Sequence, residues 1–272
     1  NTGDHPMSAA TLEMKQEQAI RRAMPGERLF GAYFTEAKYE TIRMLRTPAF
    51  AIPFLALPVA LYLLFAVLLF GAALRADPKG AMFAFVGFDV FGVMGPGIFG
   101  FGMVVALERE QGLLALKRAM PMPPSAYLVA KLCMAMLFSV IVTATMITAA
   151  LTLGHLPLNA GQCFTLAGLN VLGALPFCAI GLFIGTRTSG KAAPAIGNII
   201  YLAMIYLSSI MFPLPKSMQA SAVIWPAYHQ AQLTFRALGA PSQGSPWVHL
   251  AVLAGVALVL TALSVRRLAR ED

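Results

Sequence analysis

Six long apolar stretches separated by short charged breaks dominate the pattern of hydrophobic and polar positions along this chain. The stretches cover residues 49–74, 82–106, 128–153, 164–185, 194–212 and 247–265. Each has roughly 19–26 residues, which is enough to cross a hydrocarbon core about 30 Å thick at 1.5 Å per residue. A helix of a soluble protein rarely stays apolar on all sides for that length. The pattern therefore predicts an all-α polytopic membrane protein with six transmembrane helices.

Composition agrees with this class. The chain is 58% hydrophobic and 12% charged, with a mean hydropathy of +0.71, whereas soluble domains carry about 25% charged residues. The segments outside the six stretches are too short for a soluble catalytic domain. Any energy source or enzymatic module must therefore come from a partner chain.

The net charge of +8 reflects membrane topology rather than nucleic-acid binding, because the basic residues form no patch with interleaved aromatics. Sixteen of the twenty Lys and Arg residues precede the first span, lie in the second and fourth breaks, begin the third span, or follow the sixth span. The other four are Arg75, Lys79, Lys216 and Arg236. The positive-inside rule then places both termini in the cytoplasm. The expected location is the bacterial cytoplasmic (inner) membrane.

The chain divides into a polar N-terminal arm (1–28), an amphipathic helix (29–46) and a six-span domain (47–272). Apolar and charged positions alternate at helical spacing over 29–46. This pattern predicts a helix that lies in the cytoplasmic membrane interface. The alternative is a soluble cap helix packed on the bundle. The external segment between the fifth and sixth spans, 213–246, predicts one or two short re-entrant or interfacial helices.

The second span is unusually rich in glycine and has a proline, Pro96, at its centre. This density predicts a bent helix that approaches another helix closely, either as a flexible wall of a transport path or as tight packing through small residues. Asp89 is the one acidic residue within the six predicted spans, so it is expected to face protein or water. The alternative is a position about two turns below the outer surface, where it would snorkel or cap the helix. The candidate substrate path is Phe88, Asp89, Phe91, Met94 and Phe99, although such aromatic residues also occur in cores and on lipid-facing surfaces.

The most specific segment is ALEREQGLLALKRAMPMPPSAYLVAKL, residues 106–132. A charged run (Glu108, Arg109 and Glu110) follows the second span, then Gly112, then a short amphipathic helix that ends at three prolines. This segment closely resembles the cytoplasmic loop of the ABC-2 type permeases, the membrane subunits of ATP-binding-cassette exporters. The amphipathic helix before the first span and the external PAYHQAQL sequence, residues 226–233, are similar to further segments of that family.

The resemblance implies a permease subunit that pairs with a second permease copy and with two separate nucleotide-binding subunits. ATP and Mg²⁺ would bind in those partners, and this chain would hold no cofactor, metal or catalytic site of its own. The short helix would be the coupling helix that contacts the ATPase. Its candidate coupling residues are Glu108, Arg109, Glu110, Gly112, Leu113 and Leu116. A homodimer in contact with membrane lipid is expected. It would form the translocation path through which an amphipathic, drug-like or lipid-like substrate moves outward.

Other classes fit the residues less well. The chain has no GxxxxGK[ST] motif, and the Ser-Gly-Lys of residues 189–191 lacks the remainder of that pattern. An intramembrane enzyme would need a Ser/His pair or clustered Asp residues within the spans, and no Cys/His spacing indicates a metal site. The alternative function is a stand-alone ion-coupled secondary transporter or a channel, for which Asp89 would be the first residue to test.

Overall fold

In the computed structural model, the described residues are Met14, 26–120 and 122–270, and every regular element among them is a helix. The predicted all-α class is therefore confirmed for this part of the chain, whereas most of the predicted arm, 1–28, lies outside the described residues. A 3₁₀ turn, Lys216–Met218, precedes α9. The helices are α1 (Gly26–Leu45), α2 (Pro48–Leu69), α3 (Gly71–Ala76), α4 (Pro78–Glu110), α5 (Leu113–Ala119), α6 (Pro124–Thr152), α7 (Ala160–Gly185), α8 (Ala193–Leu207), α9 (Gln219–Ala222), α10 (Pro226–Ala237) and α11 (Pro246–Leu268).

Five of these helices are long and apolar enough to cross a membrane: α2, α4, α6, α7 and α11. The remaining predicted span, 194–212, corresponds to α8, which has 15 residues and rises only about 22 Å at 1.5 Å per residue. The helix stops there because Ser209 has a left-handed φ of 58°, which disfavours continuation of a right-handed helix. The chain is thus a multi-pass membrane protein, and the count of six spans stays a prediction.

Local signals explain where the helices begin and end. Asn159 and Gln162 form a capping box that begins α7 four residues before the predicted start of that span. Proline at the first helical position begins α4 at Pro78 and α11 at Pro246. The predicted span 49–74 is divided, because α2 passes into a π-helical segment, Leu63–Leu69, and ends before Phe70.

Helix α4 forms the centre of the bundle. In an apolar 18-residue stretch of α4, 78% of the residues are buried. In the corresponding stretches of α2 and α11, 17% of the residues are buried. The middle of α4 is π-helical over Pro96–Met103 and packs along α7. The α4 and α7 backbones touch where a Cβ atom added to Gly102 would lie 2.1 Å from the carbonyl oxygen of Gly181. The close helix approach predicted from the glycine content is therefore present.

The segment after α8 folds back into the bundle. Helix α10 packs against α4, α7 and α11, and most of its first eight residues are buried. The Nδ1 atoms of His229 on α10 and His249 on α11 lie 2.7 Å apart. Burial, the main cause, and the neighbouring His249 lower the pKa of His229. The structure thus contains two short helices in the segment for which one or two were predicted.

Candidate coupling site and buried polar cluster

A tight helical hairpin joins the end of α4 to the start of α6. Gly112 has a φ of +72°, a left-handed conformation that glycine adopts without steric cost. The chain then forms the two-turn helix α5 and leaves it in extended conformation at Met120 and Pro123. Pro124 occupies the first position of α6, where its missing N–H is tolerated. Glycine and prolines therefore fix both ends of α5.

Helix α5 has one packed side and one open side. Leu114 packs against a small core that includes Phe101 of α4 and Tyr127 of α6. Leu116 points the other way and is 61% exposed, and Met120 is 39% exposed. The inner side attaches α5 to both neighbouring helices, while the outer side leaves an apolar surface uncovered in this chain.

Beneath α5, an ionic cluster joins α1, α4 and α6, and each of its members except the half-exposed Arg43 is buried. We define it as Glu40 and Arg43 of α1, Glu108 of α4, and Tyr127 and Lys131 of α6. The Lys131 Nζ atom lies 2.7 Å from Glu40 Oε1 and 3.1 Å from Glu108 Oε2. Arg43 contacts the same two carboxylates at 2.9 and 2.7 Å. The Tyr127 hydroxyl donates to Glu108 Oε2 at 2.5 Å.

The cluster is formally balanced, since two carboxylates face two cations. Lys131 is fully buried, and Glu40 and Glu108 are nearly so. Burial disfavours the charge of Arg43, but the carboxylates of Glu40 and Glu108 outweigh that effect and raise the pKa of its guanidinium. Charges this deeply buried are stable only when paired. The three helices must therefore stay together at this point for the cluster to be stable.

Two further contacts extend the attachment of α1. The Lys117 ammonium of α5 pairs with the Glu36 carboxylate of α1. The hydroxyls of Tyr33 on α1 and Ser125 on α6 lie 2.7 Å apart. Helix α1 is thus bound to α5 as well as to α4 and α6.

The end of α4 also contacts the turn between α7 and α8. Arg109 donates to the carbonyl oxygens of Thr186 at 2.6 Å and Thr188 at 2.9 Å. Glu110 lies beside Gly190 in the same turn, where a Cβ atom on the glycine would come 2.7 Å from Glu110 Oε2. A movement of the α4–α5 junction would therefore also reach α7 and α8.

A second polar group lies deep in the bundle, at Asp89 of α4. Asn170 of α7 donates to Asp89 Oδ2 at 2.7 Å and to the Thr143 hydroxyl of α6 at 2.8 Å. Gln230 of α10 donates to Asn170 Oδ1 at 2.9 Å. All four side chains are fully buried. Among the described residues, neither Asp89 Oδ1 nor Gln230 Oε1 has a hydrogen-bond partner.

Comparison with known proteins identifies the family of this chain. The family model for the ABC-2 type transporter matches residues 32–232, which is well over half of the chain. This chain belongs to the ABC-2 type transporter family. It is also 26% identical, over 230 residues, to a Bacillus subtilis (strain 168) protein named "Putative transport permease YvfS". That match covers 83% of this chain and 92% of the relative.

The six residues predicted to couple this ABC-2 type transporter to an ATPase occupy different environments in the structure. Leu116, Glu110 and Gly112 are exposed, and Leu113 is partly exposed. Glu108 lies inside the ionic cluster, and Arg109 bonds to the α7–α8 turn. Their role in coupling stays a prediction. The exposed residues are accessible to an ATPase subunit. Glu108 is buried, so it can contribute to coupling only by holding the helices together.

The predicted path residues of α4 pack within the chain. Phe88 stacks on Phe65, with ring centroids 6.3 Å apart. The ring centroids of Phe91 and Tyr201 lie 5.3 Å apart. Phe99 lies between Phe54 and Tyr201. Met94 and Asp89 are fully buried. In this chain the aromatic residues are core residues, and their place in a substrate path stays a prediction.

Sequence reasoning missed most partners in both polar groups. The sequence pattern did not indicate that Glu108 would pair with residues of α1 and α6, here Glu40, Arg43, Tyr127 and Lys131. It also did not indicate Asn170, Thr143 and Gln230 as neighbours of Asp89. The sequence did contain a signal for the polar group around Asp89. An amide and a hydroxyl within apolar spans need hydrogen-bond partners as much as a carboxylate does.

Proposed function

We propose that this ABC-2 type transporter is the permease subunit of an ATP-driven exporter, powered by a separate ATP-binding subunit. The observation that carries the proposal is α5, a short helix with an uncovered apolar side at the junction of the central helix α4 with α6. ABC-2 permeases generally work with an ATP-binding subunit. The open side of α5, with Leu116 at its centre, is the surface we assign to that subunit.

The contacts around α5 explain how movement of an ATPase would enter the bundle. Leu114 packs α5 onto α4 and α6, and the ionic cluster joins those helices to α1. A displacement of α5 would therefore shift α1, α4 and α6 as one body, in the manner of rigid-body switching. Arg109 would transmit part of that displacement to the α7–α8 turn.

The complete transporter that we propose contains two permease copies and two ATPase subunits. ATP and Mg²⁺ bind in the ATPases, and the permease pair is a homodimer. Six spans cross a bacterial inner membrane with both termini in the cytoplasm, and α1 lies in the interface with Phe30 and Phe34 toward lipid. Those two rings are 74% and 62% exposed, as expected for an interfacial helix. Helix α10 is re-entrant from the outer side.

We further propose an amphipathic, drug-like or lipid-like substrate. Apart from Glu108 at the end of α4, the buried carboxylate of the described spans is Asp89, and the α4 core is aromatic and apolar. A hydrophilic solute would need several satisfied polar contacts along its path. Measuring ATPase stimulation of the reconstituted complex tests this. Stimulation by small hydrophilic solutes alone would contradict the substrate class.

Replacing Leu116 by serine tests the coupling surface. We expect about tenfold weaker capture of the ATPase subunit, because the few interface residues whose truncation costs more than about 1 kcal/mol cluster at the centre of an interface. The measurement is co-purification of a P-loop ATPase with the tagged permease, quantified by mass spectrometry. Thermal stability of the permease should not change, since Leu116 is mostly exposed.

The matched control is Leu45→Ser, which alters a 39% exposed leucine at the end of α1 and should leave ATPase capture intact. Equal capture by the Leu116→Ser and unaltered proteins would remove α5 from the proposed interface. Failure of any ATPase to co-purify with the unaltered protein would contradict the exporter itself.

One observation favours the alternative, an ion-coupled transporter or channel. Asp89 and Gln230 each direct an unpartnered buried oxygen into the bundle, and intramembrane carboxylates often mark ion or proton pathways. Asp89→Asn separates the two functions, because asparagine keeps an acceptor oxygen for Asn170 and removes the charge. For the exporter we expect ATP-driven transport within about twofold of the unaltered protein. For the alternative, transport in ATPase-free liposomes would follow an ion gradient and be lost in the variant.

A further inference from the structure

Four arginines converge at the polar end of α11. A cavity of about 410 Å³ is lined by Arg187, from the turn between α7 and α8, and by Leu263, Arg266, Arg267 and Arg270. We call this cavity the arginine pocket. None of the described residues that line it carries a carboxylate. It is separate from α5, from the ionic cluster and from the group around Asp89.

The sequence of α11 places its share of the pocket on one side of the helix. Leu263, Arg266, Arg267 and Arg270 follow the i, i+3, i+4, i+7 spacing of a single helical face. That face opens toward Arg187, which belongs to a different segment of the chain. The pocket is therefore a product of the fold and does not arise from a run of adjacent basic residues alone.

Arg187 is held in place by three kinds of contact. Its guanidinium carbon lies 3.8 Å from the centre of the Phe183 ring, a cation–π arrangement that orients the planar group. It donates to the Thr186 hydroxyl at 3.2 Å and to the Leu263 carbonyl oxygen at 3.4 Å. The side chain therefore extends across to α11 while it stays exposed to solvent.

Arg187 adds a cation from the turn between α7 and α8 to those that α11 contributes to the same cavity. Guanidinium groups bind phosphate oxygens in bidentate geometry, and basic pockets between transmembrane helices accept anionic lipid head groups. The pocket lies where the candidate span α11 ends, and the ends of a transmembrane helix lie at the level of the lipid head groups.

The surface beside the pocket distinguishes a lipid from a soluble anion. Val259 lies one turn before Leu263 on the same face of α11, and the two side chains are 56% and 39% exposed. An apolar stripe therefore continues from the pocket along the span. We infer that the arginine pocket binds the phosphate head group of an anionic phospholipid, with an acyl chain lying along this stripe. The inference requires membrane insertion but not the proposed coupling to an ATPase.

The test is lipid titration of the purified full-length protein by native mass spectrometry. The probes are dioleoyl phosphatidylglycerol, dioleoyl phosphatidylcholine and inorganic phosphate. We expect phosphatidylglycerol to bind about tenfold more tightly than phosphatidylcholine, given the contribution of each basic side chain to anionic lipid binding. The triple variant Arg187→Gln, Arg266→Gln, Arg270→Gln should bind both lipids about equally.

The matched control removes three positive charges elsewhere, as Lys38→Gln, Arg46→Gln, Lys191→Gln. These residues are exposed and do not line the pocket, so the lipid preference should persist. An equal loss in the control would show a diffuse charge effect and overturn the site. Competition by inorganic phosphate alone, at the same potency as the lipid, would assign a soluble anion instead. Loss of ATPase capture with unchanged lipid preference would assign a protein contact and also overturn the proposal.

A single exposed substitution, Arg270→Gln, keeps the inference testable if the triple variant does not fold. We expect about a threefold loss of phosphatidylglycerol affinity with no change in phosphatidylcholine affinity. Unchanged phosphatidylglycerol affinity in a folded Arg270→Gln protein would contradict the pocket.

Discussion

Replacing Lys131 by methionine is expected to lower the free energy of unfolding by about 3–5 kcal/mol, the usual cost of removing one partner from a buried ion pair. Lys131 is fully buried and contacts the carboxylates of both Glu40 and Glu108. Without the lysine, two buried carboxylates would share the guanidinium of Arg43. The measurement is unfolding of the purified protein in mixed micelles, followed by tryptophan fluorescence.

A compensating variant separates charge balance from packing. Lys131→Met combined with Glu40→Gln removes one charge of each sign and leaves Glu108 paired with Arg43. We expect the double variant to recover at least half of the lost stability, because no carboxylate is then left in excess. Lys38→Met, at an exposed position of α1, should be neutral. A Lys131→Met protein as stable as the unaltered one would show that the ionic cluster does not hold the helices together.

The same substitution has a functional consequence under the proposed mechanism. The ionic cluster is the main polar connection between α1, α4 and α6 directly beneath α5. If it is lost, α5 can still contact an ATPase through Leu116, but its displacement no longer moves three helices together. ATPase capture should therefore survive Lys131→Met while transport per ATP hydrolysed falls. This outcome distinguishes transmission from docking, which Leu116→Ser affects instead.

The all-α class and the long apolar helices could be predicted from the sequence because they depend on local pattern. Apolar runs of membrane-spanning length, the glycine and prolines around α5, and the charge pattern of α1 all act within a few residues. The shortened α8 could not be predicted in this way. Its apolar sequence continues to residue 212, but the helix ends at Leu207, just before the left-handed Ser209, and hydropathy does not register this backbone conformation.

The polar groups depend on contacts between distant parts of the chain. Glu40 and Lys131 are 91 positions apart, and Asp89 and Asn170 are 81 apart. A single sequence gives no measure of such pairing. Glu108 shows the consequence, because its charged neighbours and its place after a span predicted an exposed coupling residue, whereas the fold buries it. Asp89 was expected to face protein or water because an intramembrane charge is costly, and the fold buries it against Asn170.

Gly102→Ala is the second substitution from which we expect a large effect. A Cβ atom at this position would lie 2.1 Å from the Gly181 carbonyl oxygen and 2.5 Å from its Cα atom. These are backbone atoms of α7, so no side-chain rotation can relieve the overlap and the two helices must separate. We expect a loss of more than about 3 kcal/mol in the free energy of unfolding, beyond the usual 1–3 kcal/mol of an overpacked core.

Gly168→Ala is the matched control, because Gly168 also lies within α7 and a Cβ atom there has nothing within 4 Å. It should be neutral or stabilising by up to about 1 kcal/mol, as the helix propensities of alanine and glycine indicate. Equal stability of the two variants would contradict the close α4–α7 contact. Separation of these helices would also displace Arg109 from the Thr186 and Thr188 carbonyl oxygens. Gly102→Ala should therefore impair transport even in protein that still inserts and captures an ATPase, because α4 would have lost its connection to the α7–α8 turn.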